Sequence, residues 1–206
     1  MACQTDAIPP EVSVKRVGVL AAASVAVLLA GCVPQTPVTP SPSPPTFMCT
    51  PEAGGAQAPC SEQQFQEMKA KDALYAEAEQ VYRTYQAEFL KVIRAGGSDK
   101  LTPGLQAVIG SKDVENVVLG ELKLFKKDGL RIVGPGAQVA KVTRRPSLVK
   151  GASLATLDFC VDSRSTSIFE GSRKVSSGIL GKDTTYFGMV DERLRIVFIV
   201  GDEVKT

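Results

Sequence analysis

Ala152-Ser153-Leu154-Ala155-Thr156-Leu157-Asp158-Phe159-Cys160-Val161-Asp162 is where the hydrophobic period of this chain is plainly two. Ala155, Leu157, Phe159 and Val161 fall on one face, and Leu154, Thr156, Asp158, Cys160 and Asp162 on the other. That alternation predicts a strand with one face against a core. The same period continues toward the C-terminus in Thr184–Val190 and Leu194–Val200, which read as a hairpin turning at Asp191-Glu192. A weaker piece, Thr166–Glu170, adds an edge strand. Upstream, Leu130–Val133 and Gln138–Arg145 read either as one strand bulged at Gly134-Pro135-Gly136 or as two short strands.

Before Gly129 the period is helical. Ser61-Glu62-Gln63-Gln64 has the pattern of a capping box, in which Ser61 satisfies an early amide and Gln64 reaches back. Leu74, Ala78, Val81, Tyr82, Tyr85, Phe89, Val92 and Ile93 then recur at three- and four-residue steps, one buried stripe of a long helix that Gly96-Gly97 ends. Thr102 and Pro103 start a short second helix that stops at Gly110. Ser111 caps a third, with Val114, Val117, Val118, Leu122 and Phe125 inward, although Gly120 weakens it by about 1 kcal/mol. Helices followed by a meander of strands predict an α+β domain with an antiparallel sheet.

The N-terminal quarter is of another kind. Lys15-Arg16 precedes an apolar run, Val17–Ala30, that ends in Leu28-Leu29-Ala30-Gly31-Cys32. The run is short for a membrane-spanning helix, which needs about 20 residues, and a basic pair before it marks the apolar core of a signal peptide. Its end resembles the lipobox of bacterial lipoproteins. That resemblance implies cleavage before Cys32, acylation of Cys32, and a protein anchored by lipid on the extracytoplasmic face of the cell membrane. Asp6, Pro9, Pro10 and Glu11 are unusual ahead of a signal sequence, which points to a start further on, at Val12 or Val14.

Pro34, Pro37, Pro40, Pro42, Pro44, Pro45 and Pro51 dominate the following segment. Proline removes donors and fixes φ, so this segment is an extended spacer; roughly fifteen residues rising about 3.1 Å each span about 45 Å. The organisation expected is thus a signal peptide over 1–31, a lipidated cysteine with a Pro-rich linker over 32–51, and the α+β domain over 52–206.

Five cysteines are present. Cys3 and Cys32 belong to the targeting region. Cys49 and Cys60 flank a Pro/Gly/Ala loop flexible enough to let them meet, and a disulfide between them is expected to stabilise by roughly 3 kcal/mol. Cys160 is most simply a buried small hydrophobe, although three cysteines leave its pairing with Cys49 or Cys60 open. The chain contains no histidine, which removes Ser-His-Asp and Cys-His catalysis and disfavours zinc. It carries no Walker-type loop and no dinucleotide fingerprint, and no cofactor is expected. Net charge is +2, and loss of residues 1–31 removes two basic and two acidic side chains and leaves it there. That balance argues against nucleic acid as a partner. The run Lys141, Arg144, Arg145 and Lys150 reads as a solvated strand face, with contact to anionic lipid or wall polymer as the less favoured alternative.

Three helices, then Gly129-Leu130-Arg131 with Gly134-Pro135, then Cys160-Val161-Asp162 and a closing hairpin resemble uncharacterised actinobacterial lipoproteins of the nuclear transport factor 2-like class. The resemblance spans about Leu74 to Val204, and departs at Leu194–Val197, where such proteins often carry tryptophan. It implies N-terminal helices packed on a curved antiparallel β-sheet that wraps around a long helix as a cone, and a sheet-face homodimer as one assembly. Two functions follow as expectations. The first is a non-enzymatic envelope module that binds an envelope protein or a hydrophobic ligand. The second is a cone-pocket isomerase or dehydratase, in which Asp158 or Asp162 acts as base and Tyr75, Tyr82 or Tyr85 stabilises an oxyanion. The second requires Asp158 and a tyrosine to share one open cavity.

Overall fold

The computed structural model describes Cys3 and residues 46–52 and 54–204. The expected signal peptide beyond Cys3, the Cys32 lipidation site and the linker as far as Pro45 lie outside the described residues.

The chain is an α+β protein of mixed helix and antiparallel sheet. Its first element is a small hairpin, β1 (Phe47–Cys49) against β2 (Ala58–Cys60), closed by a Cys49–Cys60 disulfide. Strand β1 therefore occupies residues that their composition assigns to the linker; the cross-link and the Phe47–Phe65 ring contact at 5.2 Å hold it on the first helix. That helix, α1 (Glu62–Arg94), begins with both arms of the capping box in place. The Ser61 hydroxyl accepts from the Gln64 amide at 3.2 Å, and the Gln64 side chain accepts from the Ser61 amide at 2.9 Å. Thr102 caps α2 (Pro103–Val108) and Ser111 caps α3 (Lys112–Lys127), with Asp113 and Glu115 in the first turn of α3 and Lys126 and Lys127 in its last, both favourable to the helix dipole. Gly97, at φ 83°, lets the end of α1 meet α3: a Cβ there would lie 2.2 Å from the Leu122 carbonyl oxygen.

The strands form two further sheets. Strand β3 (Leu130–Val133) pairs with β6 (Ser167–Glu170), and β6 with β7 (Arg173–Ser177). Strands β4 (Gln138–Arg144), β5 (Ala155–Asp162), β8 (Leu180–Val190) and β9 (Arg193–Glu203) form a four-stranded antiparallel sheet in that order. Of the two readings left open around Gly134-Pro135-Gly136, two strands is the observed one, and they enter different sheets. Asp191 and Glu192 take positive φ of 49° and 61°, the two-residue turn whose twist matches the strands it joins.

One face of the four-stranded sheet carries Leu157, Phe159, Phe187 and Ile196 toward the core, where they meet Ala78 and Tyr82 of α1 with Leu105 of α2 and Leu122 of α3. Strand β5 is buried on both faces, from Ala155 through Val161. Its second face is not solvated because charged partners and Cys3 cover it. Cys160, expected as an unpaired small hydrophobe, is disulfide-bonded to Cys3, 157 residues away, beside Leu180 and Val204. Sequence position alone puts Cys3 in a removable leader; packing gives it a place against β5.

Candidate functional site

The alternation of β5 separates the residues that an acid–base site would need to combine. Asp158 lies opposite Thr143 and Thr184 in the ladder, whereas Phe159 lies opposite Val142 and Asp183. Adjacent residues of a strand face opposite ways, so Asp158 and Phe159 belong to different faces. Tyr82 is on the Phe159 side: its ring stacks on Phe159 with centroids 3.6 Å apart and planes 9° from parallel. Both side chains are fully buried. The expected convergence of Asp158 with Tyr82 is therefore absent, because the strand itself stands between them.

Asp158 is buried, with its carboxylate fully engaged on its own face. Thr184 donates to Oδ1 at 2.7 Å, while Arg145 and Lys182 approach Oδ2 at 3.1 and 3.4 Å. Asp162 is half-buried and turns to Arg164, whose guanidinium donates to Oδ2 at 2.6 Å and whose backbone amide donates to Oδ1 at 3.0 Å. Those bonds hold the Asp162 carboxyl at about 2, below the ordinary aspartate range. Neither aspartate lines any of the clefts described below, two of which hold a tyrosine. Arg145 is thus spent on Asp158, Arg144 pairs with Asp72 at 2.5 Å and lies over the Tyr75 ring, and Lys150 sits over the Phe198 ring. Arg144 and Arg145 are tied into ion pairs of the fold, while Lys141 and Lys150 stay exposed.

Tyr82 does have a carboxylate partner, which sequence position did not single out. Its hydroxyl donates to Asp183 Oδ2 and accepts from Gln86 Nε2 at 2.8 Å. Asp183 faces inward only because β8 pairs with β5 in this register, and its Thr-rich surroundings carry no alternation that would have exposed the fact. Burial pushes the Asp183 carboxyl up, against the lowering effect of the Tyr82 hydrogen bond. Burial, followed by the Asp183 charge, raises the Tyr82 phenol well above its ordinary value. Glu121 of α3 is exposed as a residue, yet the protein flanking its carboxyl, and then the Asp183 charge, push it up as well.

Clefts open at the surface of the described residues. One, about 350 Å³, lies between the disulfide hairpin and the N-terminal half of α1, with Met68, Lys71 and Arg144 among its lining. At its edge, Glu52 accepts from Lys71 and from Tyr75 at 2.8 Å. Burial opposes ionisation of Glu52, but these two hydrogen bonds outweigh it and hold its carboxyl below the ordinary value. A second cleft, about 180 Å³, continues from Lys71 and Glu52 to Leu148, Val149 and Leu154. The side chains of Val149 and Leu154 are 67% and 55% exposed, an apolar rim for this groove. Another, about 170 Å³, lies between α3 and β9 beside Tyr85. Among the described residues, no group of three or more acidic or cysteine side chains is placed to hold a metal ion, and no helix is long and apolar enough to cross a membrane. Comparisons with known protein families, with curated proteins and with solved structures return no match to this chain.

Proposed function

We propose that this chain is an envelope lipoprotein, acylated at Cys32 on the extracytoplasmic face of the membrane, whose domain is a non-enzymatic binding or scaffold module. The observation that carries the non-enzymatic part is the Tyr82–Phe159 stack, fully buried where a cone-pocket enzyme would hold its substrate. Support for the anchor is the Leu28–Cys32 run behind a basic pair, followed by a proline-rich spacer that enters the fold at Phe47. Binding would use the continuous groove from the disulfide hairpin to Leu154, where ion-paired side chains meet an apolar rim. Within this reading the helix-and-sheet arrangement is that of a nuclear transport factor 2-like cone, closed by its own side chains, and the partner is another envelope protein or a hydrophobic ligand.

A second reading, the isomerase or dehydratase-like enzyme, is favoured by one specific observation, the Tyr82–Asp183 pair. It would replace Asp158 with Asp183 as the base, and it ranks below the first because Phe159 and Phe187 fill the adjoining space.

The test combines fractionation with crosslinking in cells of a bacterium that processes lipoproteins. The native chain should partition with membranes and incorporate labelled palmitate, and Cys32→Ser should do neither. A photocrosslinker at Leu154 should capture a discrete envelope protein or lipid, whereas one at Lys127, on a separate surface, should not. Membrane partition independent of Cys32, or equal capture from both positions, would overturn the reading.

A further inference from the structure

Cys160 shares with Asp158 the face of β5 that does not meet α1, and a second cysteine is seated on it there. Cys3, 157 residues earlier, is disulfide-bonded to Cys160, and the two are only 6% and 5% exposed. The recess that holds Cys3 is made by the domain. Leu180 at the start of β8 and Val204 just past β9 pack against the pair, and Cys3 Sγ lies 3.8 Å from the Gly181 carbonyl oxygen. The Val204 amide donates to the Leu180 carbonyl at 2.9 Å, which joins these two walls without help from Cys3.

Charge at the recess is set by the ladder. Lys141 of β4 and Lys182 of β8 stand directly opposite Cys160, and residues directly opposite one another share a face. The carboxylates on either side of Cys160 along that face are already engaged, Asp158 by Arg145 and Lys182, and Asp162 by Arg164. Lys141 is exposed and has no salt-bridge partner among the described residues. The seat of Cys3 therefore combines apolar walls with one cation that no carboxylate of the domain compensates.

We propose that Cys160 is a thiol-exchange site whose recess takes a cysteinyl group from another molecule in the place of Cys3. Opening of the recess in the cell rests on the lipoprotein reading above, in which residues 1–31 are removed, Cys32 is acylated, and Cys49 and Cys60 occupy each other. Cys160 is then the odd cysteine of an exported chain, a residue available for an intermolecular disulfide. Its thiolate attacks one sulfur of an incoming disulfide. The bond between Cys160 and that sulfur forms, the incoming S–S bond breaks, and the departing thiolate takes up the proton that Cys160 released. The incoming disulfide is the oxidant: Cys160 is oxidised and the leaving thiol is reduced. Cystine and a disulfide-bonded cysteine of another protein offer this same chemistry. A preformed recess favours the mixed disulfide because its walls need no ordering when the cysteinyl group is seated.

The test uses the full chain carrying Cys3→Ser and Cys32→Ser, which free Cys160 without any processing, together with Asn116→Cys, which adds an exposed reference thiol on α3. The protein, purified in detergent with its Cys49–Cys60 bond intact, is equilibrated with mixtures of cysteine and cystine, of cysteamine and cystamine, and of the pentapeptide of residues 1–5 as thiol and disulfide. After acid quenching, peptide masses report the adduct at each thiol. The exchange constant at Cys160 for cysteine or for the pentapeptide should exceed that of the reference thiol at least tenfold, and the probe with the larger constant identifies the source. Because Lys141 flanks the recess, the cationic cysteamine should be at least fivefold weaker than cysteine at Cys160, and Lys141→Gln should narrow that gap. If Cys3→Ser prevents folding, the chain with Cys3 retained is titrated instead, and displacement of Cys3 from Cys160 is read against the same reference. Equal constants at the two thiols for both cysteinyl probes, no adduct at Cys160, or cysteamine as strong as cysteine would overturn the proposal. Retention of residues 1–31 in membrane-extracted protein would overturn the lipoprotein reading and leave these constants unchanged, so the two conclusions fail separately.

Discussion

Tyr82 lies flat on Phe159, centroids 3.6 Å apart, with its hydroxyl held by Asp183. One side chain thereby fills the space between α1 and the sheet and satisfies a carboxyl that burial would otherwise leave costly. Phe159→Ala removes the stack and leaves a cavity that close-packed neighbours cannot close, at a cost of about 3–5 kcal/mol. Tyr82→Phe keeps the stack but strands the buried Asp183 carboxyl, at a cost of about 1–3 kcal/mol. Urea denaturation checks both, and equal losses from the two variants would contradict a packing role for the ring.

The Asp183 and Glu121 carboxyls are raised, so the folded state binds their protons more tightly than the unfolded chain does. Stability from this pair is therefore greatest below the ordinary carboxylate range, and falls as pH rises through the raised values. Asp183→Asn should flatten that decline relative to the native chain. Melting temperatures measured from pH 4 to pH 8 report it; a native profile that rises throughout, with the variant parallel to it, would contradict the assignment.

Asp158 is expected to matter for stability alone. It ties β4 to β8 through Arg145, Lys182 and Thr184. Asp158→Asn should cost about 1–3 kcal/mol, discounted from a fully buried ion pair because Arg145 and Lys182 are each about one-third exposed. A variant as stable as the native chain would show that the carboxylate is not needed to join the strands.

Cys49 and Cys60 close the hairpin that forms one wall of the 350 Å³ cleft. The double Cys49→Ser, Cys60→Ser variant should lose about 3 kcal/mol if the loop-closure account applies in full. Limited proteolysis should then cut first between Pro51 and Pro59, with α1 still protected.

The Cys3–Cys160 bond makes processing measurable. A leader removed before the domain folds cannot form that bond, whereas a retained one can. On the lipoprotein reading, membrane-extracted protein lacks residues 1–31 and offers one alkylatable thiol, Cys160, since Cys49 and Cys60 occupy each other. Recovery of a Cys3–Cys160 peptide from a non-reduced digest would show that the leader is retained.

Much of the architecture was legible in local patterns. Ser61 and Gln64, Thr102 with Pro103, and Ser111 each mark a helix start, because capping is decided by side chains within three residues of the amides they satisfy. The alternation of Ala155–Val161 and the Asp191-Glu192 turn likewise fixed strands whose periodicity lies in neighbouring residues. Strand β7 carries no such signal, since every residue of Arg173–Ser177 is exposed and leaves no apolar alternation.

The candidate site depended on what lies far apart in the chain. Asp158 and Tyr82 have the residue types of an acid–base pair, but sequence spacing does not say on which face of a sheet a helix will settle. That choice followed from packing: the more apolar face of β5, with Leu157 and Phe159, took α1 and left Asp158 on the other side. Asp183 reached Tyr82, 101 residues away, through the register of β8 on β5. Cys160 found Cys3 only through the three-dimensional path of the chain. Local sequence determined the helix caps, the strand periods and the lipobox-like run; tertiary packing decided which polar groups share a face, because strand register and helix placement minimise exposed apolar area across the whole chain at once.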